Sequence, residues 1–126
     1  MALEIKTTAL RSFGQVVALN GSLDTDGAQL LKAEIERLVA ADSPLVVLDL
    51  SGLVYLNSQG VRVLQTSFRV MERAGGEMKL INPTAAVEQV LEIVRMDALS
   101  ERFADMEALD AYLHEVQTKT PPASES

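Results

Sequence analysis

The hydrophobic positions of this chain change their period several times, and each change marks an element. Leu3, Ile5 and Thr7 alternate with Glu4, Lys6 and Thr8, and a second extended run over residues 16–19 follows Ser12-Phe13-Gly14. A period of two predicts a pair of neighbouring strands joined by a short turn. Gly21-Ser22-Leu23-Asp24-Thr25-Asp26 interrupts the alternation, and Asp26 with Gln29 has the form of a capping box, so a helix is expected from about residue 26. Leu31, Ile35, Leu38 and Val39 then recur at helical spacing against Lys32, Glu36 and Arg37, until Asp42-Ser43-Pro44 stops the helix.

Residues 45–50, LVVLDL, are aliphatic except for Asp49, which suits a central strand buried on both faces. This strand is expected to end at Asp49-Leu50-Ser51-Gly52, with Leu53-Val54-Tyr55-Leu56 as a short apolar return toward the core. Asn57-Ser58-Gln59-Gly60 follows, and Val61, Leu64, Phe68 and Met71 beyond it predict a second helix ending at Gly75-Gly76. Asn57 and Ser58 fall where N-cap chemistry belongs. At 100° per residue, Ser58, Arg62, Arg69 and Arg73 lie within about 60° of one another on the outward side, bordered by Val63 and Val70.

Residues 78–82 read as a short strand, and Asn82-Pro83-Thr84 turns the chain into a helix carrying Val87, Val90, Leu91 and Val94. Residues 97–103 read as irregular or a short helical turn, 105–116 as a last amphipathic helix, and 117–126, QTKTPPASES, as a disordered tail. The order implies one α/β domain over 1–116. Its sheet should be mixed and mostly parallel, with about four to five strands, an antiparallel edge pair and about four helices.

Composition narrows the chemistry. The 126 residues are 48% hydrophobic, enough for one core, and contain no cysteine, so disulfides, thiolate metal sites and a catalytic thiol are excluded and a reducing cytoplasm is the expected compartment. No run of about 18 apolar residues exists to span a membrane. A net charge of −7 repels nucleic-acid phosphates and anionic lipid, and aromatic residues at 4% leave few platforms for base stacking. The single histidine, His114, lies far along the chain from Ser58, and neither a G-x-S-x-G elbow nor a glycine-rich phosphate loop is present. Asp24, Asp26 and Asp49 read as caps and loop ends rather than a Mg²⁺ site, so neither metal nor cofactor is expected. The helix start is left as the feature to explain: a serine there is most simply an N-cap, and it is also well placed for phosphate, because free N–H groups and the helix dipole favour anions.

Asp49-Leu50-Ser51-Gly52, then Tyr55-Leu56-Asn57-Ser58-Gln59-Gly60-Val61 and Val63-Leu64, resembles the signature of STAS domains, in particular the single-domain anti-sigma-factor antagonists. Gly21-Ser22-Leu23-Asp24 and Leu80-Ile81-Asn82-Pro83 match the family's order of elements, so the resemblance covers roughly 3–116. In that family the helix typically opens with D-S-S-G and its first serine is phosphorylated by a partner kinase. Ser58 holds that position, with Asn57 in place of the Asp and Gln59 in place of the second Ser. The resemblance implies a non-enzymatic regulator that binds a kinase-type anti-sigma factor when unmodified, is switched off by phosphorylation of Ser58, and is reset by a phosphatase of the PP2C type. Asp24, Asn57, Ser58, Gln59, Gly60, Arg62, Val63 and Asn82 would form the partner surface, on a monomer or weak homodimer. With Ser58 facing outward, Ser58→Asp is expected to fold normally. Two alternatives are a STAS-like subunit of a sensory or lipid-transport assembly that is never phosphorylated, and a small α/β enzyme or nucleotide-binding domain.

Overall fold

The alternating N-terminal segment forms β1 (Glu4–Leu10), in which Ile5, Thr7 and Leu10 are half-buried and the others exposed. β1 pairs antiparallel with β2 (Gly14–Leu23), and the chain continues through α1 (Thr25–Ala40), β3 (Leu45–Leu56), α2 (Ser58–Arg73), β4 (Glu77–Ile81) and α3 (Ala85–Val94). The computed structural model describes residues 2–10 and 14–94. The helix expected over 105–116, with His114, and the tail 117–126 fall outside them.

The four strands lie in sequence order, β1-β2-β3-β4, with β2, β3 and β4 mutually parallel. This is the expected mixed, mostly parallel α/β sheet with one antiparallel edge pair, and three helices stand among the described residues. Right-handed crossovers between successive parallel neighbours place α1 and α2 on the same side of the sheet, where they pack on each other. Val17 and Leu19 of β2, Val46, Leu48 and Leu50 of β3, Leu31 and Ile35 of α1 and Leu64 and Met71 of α2 fill the space between, all within one core cluster. Full burial of a leucine such as Leu48 stabilises by about 2 kcal/mol.

Two local expectations are corrected. α1 is capped by Asp24, not Asp26: the Asp24 carboxylate accepts the Gly27 N–H at 2.9 Å, and the helix begins at Thr25. β3 does not stop at Asp49-Leu50-Ser51-Gly52 but runs to Leu56, beside a β2 that runs to Leu23. Those polar and glycine residues serve shifts of register, between Ala18 and Asn20 and between Gly21 and Ser22, rather than a turn. Gly52 permits this because a Cβ there would sit 1.8 Å from the Asn20 side-chain oxygen, and Gly21 has a φ of 111° that favours glycine. By contrast Gly75-Gly76 ends α2 as expected, with the Gly76 N–H closing onto the Met71 carbonyl at 2.8 Å.

Candidate functional site

Three of the residues singled out in the sequence follow directly on parallel strands: Asp24 after β2, Asn57 after β3 and Asn82 after β4. Carboxyl ends of parallel strands are where open α/β sheets place their sites, since each strand there hands over to a helix whose first N–H groups point outward. Asp24 and Asn57 are the caps of α1 and α2. The Asn57 amide oxygen accepts the Gly60 N–H at 3.0 Å, so asparagine keeps the cap without the negative charge of an aspartate.

The two caps are linked through Leu23. The Asn57 N–H donates to the Leu23 carbonyl at 3.3 Å, and a Cβ on Gly60 would lie 2.2 Å from that same oxygen. The first turn of α2 therefore rests directly on the end of β2, and only glycine allows the approach at position 60. Asp24, Asn57, Ser58 and Gly60 adjoin this contact in the chain or in space, while Gln59, Arg62 and Val63 line the neighbouring cleft between α1 and α2. Asn82 is not among them. β4 ends opposite Asp49, well short of the end of β3, so Asn82 keeps company with Asp49 instead. There the Ser51 backbone N–H donates to the Asp49 carboxylate at 3.0 Å, and with the Ser51 hydroxyl and the Asn82 amide it holds the carboxyl below its usual range, against the opposing effect of burial.

Ser58 stands differently from expectation. It is the first residue of α2, and it is 0% exposed, whereas helical geometry put it on the outward side with Arg62, Arg69 and Arg73. The three arginines are exposed, so the angular reasoning holds for the body of the helix. It fails at the end because side chains tilt toward a helix N-terminus, and a first-turn side chain leans over the strand-to-helix junction instead of into water. Val63, expected at the border, is also buried, at 8% exposure, under α1.

Between α1 and α2 lies a cleft of ≈300 Å³. Gln59, Arg62 and Thr66 of α2 form one wall, Gln29, Lys32 and Glu36 of α1 the other, and Ile35, Val63 and Val70 contribute to its apolar lining. The α1 wall was absent from the sequence-based site, because no residue in α1 announces which helix will lie beside it. No helix among the described residues is long and apolar enough to cross a membrane.

A family model described as the STAS domain matches residues 4–109. The chain belongs to the STAS domain family. It is 32% identical over 90 residues to "Putative anti-sigma factor antagonist BtrV" of Bordetella bronchiseptica, covering 71% of this chain and 78% of that protein. Its fold is similar to an anti-sigma factor antagonist from Mycobacterium paratuberculosis, with a TM-score of 0.63, 22% identity, and 92% and 95% of the two chains covered. It is also similar to the Bacillus cell fate determinant SpoIIAA solved in its phosphorylated form, with a TM-score of 0.60, 17% identity, and 76% and 87% covered. The relatives it is similar to are thus STAS domains of the anti-sigma factor antagonist type.

Proposed function

We propose that this chain sequesters a kinase-type anti-sigma factor and thereby releases a sigma factor, and that phosphorylation of Ser58 by the same partner ends the interaction. The observation that carries the reading is the serine at the N-terminus of α2, held between the Asn57 cap and the β2 end at Leu23. In the transfer the Ser58 oxygen attacks the γ-phosphorus of ATP, the bond to ADP breaks, and the hydroxyl proton passes to a base of the kinase. Because Ser58 is buried in the unmodified protein, docking must draw the first turn of α2 away from Leu23 before transfer. A phosphate brings about −1.5 to −2 charges and does not return to that enclosed position. The helix N-terminus favours its charge locally, while a partner surface fitted to the closed turn meets an uncompensated charge at a cost of about 3–5 kcal/mol. Docking itself is assigned to the rim of the α1–α2 cleft, where Arg62 and Lys32 offer cations on a protein of net charge −7. A PP2C-type phosphatase would restore the hydroxyl, in the cytoplasm. No catalytic role is assigned to the chain.

The complete burial of Ser58 is the one observation that favours a second reading, a STAS subunit of a larger assembly that is never phosphorylated. Mass spectrometry after incubation with the anti-sigma factor and ATP separates the two. The first reading expects one phosphate on the wild type and none on Ser58→Ala; an unmodified wild type supports the second.

A further inference from the structure

β1 is an edge of the sheet. It pairs with β2 along all 7 of its residues without a register shift, and among the described residues no strand lies on its other side. Such an edge presents a row of backbone donors and acceptors to any extended segment, and proteins ordinarily blunt it with proline, a bulge or repeated charge. β1 reads EIKTTAL, with no proline, no bulge, and two charges of opposite sign.

Apolar surface lies beside that edge. Leu30, 51% exposed, and Ala33 of α1 stand next to Ile5 around an open groove of ≈510 Å³. The groove is held in shape by Glu34, which accepts a hydrogen bond from the Thr7 hydroxyl and pairs with Arg37. Arg37 is the main reason the Glu34 carboxyl is held below its usual range.

We infer that the outer edge of β1 docks a second copy of this chain, which adds its own β1 antiparallel across a two-fold axis at Ile5. Charge favours that register, since an axis at Thr7 sets Glu4 opposite Leu10 and Lys6 opposite Thr8 and pairs no opposite charges. A two-fold axis normal to the sheet must pass through a residue, because residues opposite one another in an antiparallel pair share a face. An axis at Glu4 or at Lys6 sets like charges against each other. An axis at Ile5 sets Glu4 opposite the partner's Lys6, and Lys6 opposite the partner's Glu4, on the exposed face. On the α1 side Ile5 then meets the partner's Ile5 with Leu30 alongside, which extends the contact beyond the backbone. β4, at the other edge, is the weaker candidate. Its Glu77 and Lys79 already pair with each other at 3.5 Å.

Sedimentation of the full chain over a range of concentrations tests this. The wild type is expected to pass from monomer to dimer as concentration rises. Glu4→Lys and Lys6→Glu, both at exposed positions, should each weaken the dimer about tenfold by opposing like charges across the axis. An equimolar mixture of the two variants should associate again, as should the double exchange, since both restore opposite charges. Wild-type melting curves for the variants separate loss of association from loss of fold. A wild type that stays monomeric, single variants that dimerise like the wild type, or a mixture that fails to associate overturns the assignment. The edge would then be left to residues 95–126 of the same chain or to another protein.

Discussion

Ser58 is the residue at which two physical effects pull in opposite directions. A carboxylate at a helix N-terminus gains about 0.3–1 kcal/mol from the dipole, whereas burial of an uncompensated charge costs several kcal/mol. At 0% exposure burial wins. Ser58→Asp is therefore expected to melt well below the wild type, while Ser58→Ala, which removes one small polar group, should stay within about 1 kcal/mol of it. Thermal denaturation followed by circular dichroism reads both, and a Ser58→Asp that melts with the wild type would place the side chain in water. Asp49 offers a second residue-scale test. Its folded carboxyl is held low, chiefly by the Ser51 N–H, so it contributes stability that is present above about pH 4 and lost as pH falls through its folded value. Asp49→Asn should flatten that acid limb of the stability curve; an unchanged limb would show that the Ser51 contact is made in the unfolded chain too. The residues of the site were named in the sequence because each carries its own chemistry. Burial of Ser58 was not legible, since it depends on where a helix end rests and not on helical period.

At the scale of elements, the cleft between α1 and α2 gives Arg62 a setting that Arg73 lacks. Arg62 lines it about one turn beyond Ser58 and across from Lys32, whereas Arg73 ends the helix about four turns away. Arg62→Glu is expected to slow association with the anti-sigma factor more than Arg73→Glu does, and added salt should shrink the difference. Stopped-flow association rates decide it, and equal rates for both variants would move docking away from the cleft. Periodicity made α2 and its core stripe readable, because Val61, Leu64 and Met71 need only their own spacing. The long β3 was not readable. Ser51 and Gly52 look like a turn in one dimension, and only the neighbouring β2, with Asn20 lying against Gly52, turns them into an irregular strand.

For the whole molecule, the order of strands does what no motif does alone. Two successive parallel crossovers put α1 and α2 side by side, bring the caps Asp24 and Asn57 to one end, and leave Asn82 behind because β4 is short. Alternating elements and one signature were enough to predict the layers. The spacing of the loops was not, because strand length after Asp49 is set by pairing. On the proposed function the unmodified protein binds an anti-sigma factor, and one phosphate on Ser58 ends the binding. Calorimetric titration of the anti-sigma factor with the protein before and after kinase treatment measures this most directly. Phosphorylation at Ser58 is expected to weaken the affinity by a few hundred-fold or more, matching a penalty of about 3–5 kcal/mol. Equal affinity for the two forms, or a phosphate that maps to Ser51 or Thr66 instead, would contradict it.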